Sequence, residues 1–303
     1  MKQFMAICSR NIKIYLRDKG SLFFSFLSMI IVIGLMLFFL EDTIVDSVVS
    51  RFEGIPGRGG QDDIDAARNL IYLWTTAGIL AINGATVTLA FYSNMIKDRT
   101  GNRLNSIMVM PINRATIVSG YIVSAWIASV VMNVITLAAI EVIAVIKGME
   151  LFSFATMIKV ILVIMANSFV YSAVMYFFAS IIKTEGSWSG FGIVVGTLVG
   201  FFGGIYFPIG NISSTVQTIV KCSPVIYGTS LFRKIMMDSY ETSFFEGLPE
   251  AIRPAFDEKM GVNLKIFENA LSISQELFIL LGVGVLFALL SMVYLRFSKK
   301  TDR

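Results

Sequence analysis

The sequence predicts an all-α fold, a polytopic membrane protein with six transmembrane helices. Of its 303 residues, 55% are hydrophobic and only 15% are charged, which is far from the balance of a soluble globular domain. Six apolar runs are long enough to cross a bilayer as helices, in which every backbone polar group is bonded internally. The whole chain, 1–303, is expected to be a single transmembrane domain, with spans at about residues 21–40, 70–96, 117–146, 156–182, 190–209 and 274–296.

The first run, "SLFFSFLSMIIVIGLMLFFL", has no charge in its interior and lies between Lys19 and Glu41. Its apolar region is too long for a signal peptide and no small-x-small cleavage site follows, so it is interpreted as a span. The third and fourth runs exceed the roughly 20 residues that a bilayer needs. Tilt, or extension beyond the bilayer by a turn or two, is expected for both.

Basic residues set the expected orientation. Lys and Arg dominate the N-terminus, the stretch between spans two and three, and the C-terminus, whereas most acids lie in residues 41–69 and 210–273. Both termini are therefore expected in the cytoplasm, in a multi-pass protein of the plasma membrane. The net charge of +4 fits contact with an anionic inner leaflet and requires no nucleic acid.

Several kinds of chemistry are excluded by composition. The chain has no histidine and only two cysteines, Cys8 and Cys222, which are expected on opposite sides of the membrane. No His/Cys metal cluster, disulfide or histidine-dependent catalysis is therefore expected. The phosphate-loop pattern G-x-x-x-x-G-K-[ST] is absent, so the chain itself is expected to bind no ATP and no other cofactor.

A charged stretch, "KDRTGNRLNSIMVMPINRATIVSGY", separates spans two and three on the expected cytoplasmic side. Leu104, Ile107 and Met108 recur at helical spacing, and Pro111 ends the pattern because the residue before proline is pushed out of the helical region. Two interpretations fit. The stretch is either a helical turn on the inner leaflet, with its arginines on lipid phosphates, or a docking helix for a cytoplasmic partner.

This stretch resembles the loop between the second and third spans of permeases in the ATP-binding-cassette type-2 exporter superfamily. An acid, a Thr-Gly turn, an amphipathic stretch, a proline, an arginine and a glycine follow in the family's order, although Asp98 stands where Glu is commoner and Tyr121 where Lys is common. The resemblance implies a coupling helix seated in a cleft of an ATPase. Its coupling residues would be Asp98, Arg99, Gly101, Asn102, Arg103, Leu104, Ile107, Met108 and Pro111.

Two further stretches carry the same resemblance. "RNIKIYLRDKGSLFFSFL", residues 10–27, resembles the family's amphipathic connecting helix, with Arg10 and Tyr15 on it and a bend at Arg17 and Asp18. "FPIGNISSTVQTIVKCSPVIYGTSLFRKIMM", residues 207–237, resembles the re-entrant pair of short helices before the last span. The apolar face of the connecting helix is expected at Phe4, Cys8, Ile12 and Tyr15 or Leu16.

The function implied by the resemblance is that of a permease subunit in an exporter. A second permease chain, identical or related, would complete the pore, and two separate ATPase subunits would bind ATP and Mg²⁺. The expected cargo is hydrophobic or amphiphilic: a drug, a lipid-like molecule or a peptide. A chain without a fused ATPase is typical of bacterial systems, so a bacterial source is expected.

The fifth span carries a glycine every four residues, at Gly192, Gly196, Gly200 and Gly204, with Val199 expected to face outward beside them. Such a ridge lets helices approach closely. It predicts either static packing or a sliding contact at the two-fold interface or the translocation pathway.

Polar residues within the predicted spans are also candidates. Asn83, Asn133 and Asn167 are expected to form hydrogen bonds between helices. Glu141 is the one acid well inside an apolar run, so it is a functional candidate by default, unless it reaches the membrane interface or pairs with a polar neighbour.

Two other classes of function remain open. An ion-coupled secondary transporter would need a relay of buried ionisable groups, for which Glu141 alone qualifies. A membrane sensor or scaffold that transports nothing would use the long outside segments instead.

Overall fold

The computed structural model describes residues 2–35, 41–52, 55, 58–101, 113–266 and 269–297, and these residues confirm the all-α prediction. The one exception among them is a two-residue hairpin, in which β1 (Lys265–Ile266) pairs antiparallel with β2 (Asn269–Ala270). The α-helices are α1 (Lys2–Arg17), α2 (Lys19–Leu35), α3 (Glu41–Val49), α4 (Gln61–Thr100), α5 (Arg114–Ile146), α6 (Phe154–Ile181), α7 (Glu185–Phe202), α8 (Ser214–Lys221), α9 (Pro224–Met236), α10 (Asp238–Phe244), α11 (Ile252–Met260) and α12 (Ile273–Phe297).

Side-chain caps explain where several helices begin. Asn113, Ser153, Thr184 and Ser223 each accept a hydrogen bond from a backbone N–H in the first turn of the helix that follows. These first-turn N–H groups have no partner inside the helix, so such caps stabilise the start. Pro224 occupies the first turn of α9, where its missing N–H costs nothing.

Four of the described helices, α4, α5, α6 and α12, are long and apolar enough to cross a membrane. The first predicted span corresponds to α2, for which residues 36–40 lie outside the described part of the chain. The fifth corresponds to α7, which begins before residue 190 and ends at Phe202 rather than near residue 209. The difference arises because Gly203 ends the helix and Gly204 turns the backbone to a φ of +59°.

Helix α4 is the centre of the molecule. Of its most apolar 18-residue window, 89% is buried, against 17% for α12, so α12 lies at the periphery. Helix α4 contacts α2, α5, α6, α7 and α9, while α12 packs mainly along α6. The 40 residues of α4 extend about 60 Å, which is twice the thickness of the hydrocarbon core of a bilayer.

The long helices run in alternating directions, so their termini gather at two opposite ends of the molecule. At the α1 end, α1 lies across α5, and the C-terminal ends of α4, α6 and α12 meet the N-terminal ends of α5 and α7. At the opposite end the described residues of 41–52 and 203–272 form a cap, which packs on the N-terminal part of α4. The predicted short helices before the last span correspond to α8 and α9 within this cap.

An aromatic cluster holds the cap together. Phe52 is fully buried, with its ring 5.3 Å from that of Phe244. The guanidinium of Arg58 lies over both rings and donates to the carbonyl oxygens of Phe244, at 2.5 Å, and Glu246, at 3.1 Å. The two distant segments of the cap are therefore one packed unit.

Candidate functional site

Helix α1 packs against α5 and α4 through one buried face. This face is formed by Ile7, Cys8, Asn11 and Tyr15. Cys8 and Tyr15 were expected on this face, and of the alternatives Tyr15 and Leu16 the structure selects Tyr15, since Leu16 is 56% exposed. Phe4 and Ile12, which were also expected there, are only half-buried. The face includes a polar residue because Asn11 Nδ2 donates to Ser124 Oγ at 3.4 Å. As predicted, the break between α1 and α2 falls at Asp18, since α1 ends at Arg17 and α2 begins at Lys19.

A glycine sets how closely α1 approaches α5. A Cβ atom on Gly120 would lie 2.8 Å from Cγ2 of Ile7, closer than real side chains come. The Cys8 thiol donates to the Gly120 carbonyl oxygen at 3.4 Å, and burial raises the pKa of this thiol. The ring of Tyr15 lies 5.3 Å from that of Phe91 on α4. The helix is therefore seated on both α4 and α5.

Two ion pairs join α1 and its break to the last turns of α4. Arg10 Nη2 pairs with Asp98 Oδ2, and Lys97 Nζ lies 3.7 Å from Asp18 Oδ2. The Asp98 side chain is only 9% exposed, so this carboxylate depends on Arg10 for compensation. Beside the pair is a cavity of about 10 Å³ with Asn11 and Asn94 in its wall.

The next two residues of α4 bind the connection between α6 and α7. Arg99 Nη1 donates to the carbonyl oxygens of Ala179, at 3.0 Å, and Ile182, at 2.6 Å, at the C-terminal end of α6. A cation is favourable there because the last carbonyls of a helix carry partial negative charge. Thr100 Oγ1 donates to Glu185 Oε1 at 2.8 Å, at the start of α7.

The predicted coupling residues fall in two groups. Asp98, Arg99 and Gly101 are described, and Gly101 is the C-cap of α4. On the C-terminal side of residues 102–112, Arg114 is the first residue of α5. Its side chain donates to the carbonyl oxygen of Leu295 near the end of α12. The other predicted coupling residues lie outside the described part of the chain: Asn102, Arg103, Leu104, Ile107, Met108 and Pro111.

Sequence reasoning missed the internal bonds that both flanks of 102–112 make. Thr100, Glu185 and the Arg114–Leu295 contact were not singled out as partners, because these bonds link segments far apart in sequence. The available signal was an arginine or lysine near the end of a helix, which favours contact with exposed carbonyls.

The glycines of the fifth predicted span do not share one environment. A Cβ on Gly192 would lie 3.2 Å from Leu89 and one on Gly200 would lie 2.7 Å from Tyr206, whereas a Cβ on Gly196 would have no described atom within 4 Å. Gly204 lies beyond the helix end. Val199, which was expected to face outward, is only 6% exposed.

The exposed side of α7 carries an open groove of about 480 Å³. All of its lining residues are uncharged, and Ile193 is 71% exposed. The groove is lined by Gly192, Ile193, Gly196, Thr197, Phe201 and Tyr206.

Of the three asparagines expected to form hydrogen bonds between helices, Asn83 and Asn167 do so, whereas Asn133 Nδ2 donates within α5, to the Ser129 carbonyl oxygen at 3.0 Å. Asn83 Nδ2 on α4 donates to Thr136 Oγ1 on α5 at 2.9 Å, and Asn167 Nδ2 on α6 donates to the Ala81 carbonyl oxygen at 2.9 Å. Glu141 Oε2 accepts a hydrogen bond of 3.3 Å from the Phe152 backbone N–H, which places this acid at the turn between α5 and α6 at the cap end.

Comparison with known proteins identifies the family. Residues 61–293 match the sequence model described as "ABC-2 family transporter protein", which includes α4 through most of α12 and leaves out α1 to α3. No curated protein matches the chain. The match covers well over half of the sequence and includes α4, the described flanks of 102–112, α7 and the cap. The chain therefore belongs to the ABC-2 family of transporters, as a permease subunit.

Proposed function

We propose that this chain is the membrane-spanning permease subunit of an exporter that moves a hydrophobic or amphiphilic substrate out of the cell. Membership of the ABC-2 family implies association with an ATP-binding-cassette ATPase. In the proposed assembly two separate ATPase subunits bind ATP and Mg²⁺, the permease has six spans, and both termini lie in the cytoplasm of a bacterial cell. The coupling role is assigned to the stretch from Asp98 to Pro111.

The observation that carries this proposal is the set of bonds on both flanks of 102–112. On one flank, Asp98 binds α1 and Arg99 binds the end of α6; on the other, Arg114 binds the end of α12. A force on the intervening residues would therefore reach α1, α6 and α12 directly. Such an arrangement suits a segment that receives movement from a partner, whereas a turn resting on lipid would need none of these bonds.

The groove on α7 is the observation that favours a second permease chain in the proposed assembly. Gly196 leaves the helix surface open, and the surrounding side chains are uncharged and exposed in the single chain. Small residues with open space above them allow close helix contact in a membrane. The same uncharged lining suits an apolar or amphiphilic cargo at the interface between the two permeases.

Ion-coupled transport is less well supported. A relay needs ionisable groups along the depth of the membrane. Glu141 and Glu276 both lie near the cap end, and each is bonded to a neighbour within the chain. In the sequence, the predicted spans carry no acid near their midpoints.

The test is a double variant, Leu104→Asp with Ile107→Asp. It places charge on the stripe expected to enter the ATPase cleft, where an unpaired buried charge costs about 3 to 5 kcal/mol. The control is Asn105→Asp with Ser106→Asp, which adds the same charge to the opposite face of the predicted helix. The ATPase that co-purifies with the wild-type permease is expected to be lost from the first variant and kept by the second.

Permease yield and detergent extraction should be unchanged in both variants, because these residues lie outside the predicted spans. Normal ATPase binding by the first variant would reject the coupling role. If no ATPase co-purifies with the wild-type chain, the proposed function itself fails.

A further inference from the structure

Arg233 on α9 is a buried cation whose hydrogen bonds in the described part of the chain all go to carbonyl oxygens. Its side chain is 0% exposed, and the guanidinium donates to carbonyl oxygens on three other segments. Nη1 donates to Met260 at 3.0 Å, Nη2 to Gly203 at 3.2 Å and to Gly204 at 3.0 Å, and Nε to Trp74 at 3.4 Å. In the described part of the chain no carboxylate pairs with it.

The acceptors explain how a charge can be buried there. Met260 is the last residue of α11, and Gly203 and Gly204 follow the last residue of α7. The C-terminal end of a helix carries a partial negative charge of roughly half an elementary charge. The C-terminal ends of two helices therefore converge on one guanidinium and together supply the compensation that a carboxylate would give.

Glycines border the guanidinium on three sides, and Gly261 is the one at which a Cβ would be tighter than ordinary contact with it. A Cβ on Gly261 would lie 3.3 Å from Nη1, and Cβ atoms on Gly78 and Gly204 would each lie 3.6 Å from a guanidinium nitrogen. The fourth side is the indole of Trp74, whose ring centre is 4.2 Å from Cζ. Trp74 Nε1 also donates to the Met260 carbonyl oxygen, at 2.7 Å. The niche fits a flat, forked cation.

The neighbouring lysine is held differently. Lys234 Nζ forms an ion pair of 2.9 Å with Glu276, which also accepts from Ser230 Oγ at 3.0 Å. This fixes α9 to the start of α12 through opposite charges. Arg233 fixes α9 to α4 and to the ends of α7 and α11 without an opposite charge, so water that entered the niche would compete with the carbonyl oxygens as an acceptor. The contact is stable only while the niche is closed and dry.

We propose that Arg233 is a positioning residue, whose hydrogen bonds to carbonyl oxygens hold the cap against the end of α7. These bonds, called the latch below, break when that end opens. This inference rests on the proposed function in one respect: the opening it controls is the exit for cargo at the cap end. The bonds themselves predict that loss of the guanidinium frees the end of α7 without unfolding the helices of the α1 end.

The experiment measures thiol accessibility in the purified permease, so it needs neither an ATPase nor a known membrane orientation. In a background with Cys8→Ser and Cys222→Ser, a reporter Ile205→Cys is introduced, because Ile205 is 0% exposed beside the niche. Arg233→Met keeps a long side chain but removes every donor. We expect Cys at 205 to react about tenfold faster or more with a thiol reagent in that variant.

Two reporters separate a local release from unfolding. Ala125→Cys is fully buried at the α1 end, so it should remain unreactive, and Ser214→Cys is exposed, so it should react at the same rate with or without Arg233. Arg233→Lys keeps the positive charge but loses the planar guanidinium with its several donors. The rate of thiol labelling at position 205 in this variant should therefore lie between those of the wild type and Arg233→Met.

Equal rates at position 205 in the wild type and Arg233→Met would overturn the latch, as would equal acceleration at positions 205 and 125. A lysine variant as fast as the methionine variant would overturn its electrostatic basis. Each result stands whether or not an ATPase partner is found, so failure of the latch is distinct from failure of the proposed function.

Discussion

The guanidinium of Arg10 and the carboxylate of Asp98 join two helices whose paired residues are 88 positions apart in the sequence. The pair connects α1 to the last turn of α4, at the start of the segment proposed to meet an ATPase. Its removal should therefore break one path by which movement of that segment reaches α1.

The first prediction is a charge swap of this pair. Arg10→Asp or Asp98→Arg alone should abolish ATPase-driven transport, and the double swap should restore part of it. Each single swap should also lower the stability by about 1 to 3 kcal/mol, because it leaves an uncompensated charge at a place where the Asp98 side chain is only 9% exposed, and the double swap should recover most of this loss. Thermal unfolding and transport would both be measured. The matched control is the exposed cap pair Lys265 and Glu258, 2.6 Å apart, whose swap should leave transport unchanged.

The second prediction concerns the seat of α1 on α5. Gly120→Ala should destabilise the permease by about 1 to 3 kcal/mol, because its Cβ would meet Ile7 at 2.8 Å. Ile7→Ala removes the obstructing atoms, so the double variant should lose less stability than the two single variants together. Gly186→Ala is the control, since a Cβ there has no described atom within 4 Å. Strict additivity of Gly120→Ala and Ile7→Ala would show that the two residues do not determine each other's packing.

The third prediction tests the groove on α7. Gly196→Leu and Gly282→Leu add the same side chain at two glycines whose Cβ positions are open in the single chain. Only Gly196 lines the groove, whereas Gly282 lies on the peripheral helix α12. Gly196→Leu should therefore reduce pairing of two permease chains, measured by mass in detergent and by cross-linking, while Gly282→Leu should not. Retained pairing in both variants would assign the groove to lipid.

The fourth prediction is a pH dependence of the cap. Burial, with Asp257 close by, raises the pKa of Glu241 to about 8 against the opposing effect of Arg253, and burial raises the pKa of Asp257 to about 6. Since the folded cap holds these protons more tightly than the unfolded chain, its stability should fall as the pH rises from about 4.5 to 8. Each proton contributes at most about 1.4 kcal/mol per pH unit.

Glu241→Gln should remove the dependence above about pH 6, and Asp257→Asn should reduce the slope below that pH, where both groups contribute. The stability of the cap in both variants would be measured as its rate of proteolysis across the pH range. Glu258→Gln is the control, because Glu258 lies on the exposed side of α11. A cap that became more stable between pH 6 and 8 would contradict the sign.

Patterns within single segments predicted much of this architecture. The break at Asp18 depends on local chemistry, and the structure has it where the sequence indicates. The apolar runs are helical where they are described, although α7 ends at Phe202 rather than near residue 209. Faces were less predictable: Asn11 is buried in place of Ile12, because a partner on another helix, Ser124, satisfies its amide. Val199 is buried for the same kind of reason, since the neighbours of a helix decide which side is outside.

Interhelical bonds were expected for Asn83 and Asn167, but which residues meet across distant segments could not be predicted. Nothing in the local sequence indicates that Arg10 meets Asp98 or that Arg99 binds the last carbonyls of α6. Arg233 was visible only as a charge within an apolar stretch, and its partners are backbone atoms, which leave no trace in residue types. For the predicted coupling residues between Asn102 and Pro111 the assignment remains a prediction from the resemblance.

One unbroken helix carries both Trp74, at the wall of the Arg233 niche, and Asp98, at the α1 end. These residues are separated by about 36 Å of continuous helix, which behaves as a stiff lever arm. A tilt of about 5° around one end would displace the other by about 3 Å, as far as the full length of a hydrogen bond. A small angular movement that begins near Asp98 is thus large enough, on arrival at Trp74, to part the guanidinium from its carbonyls.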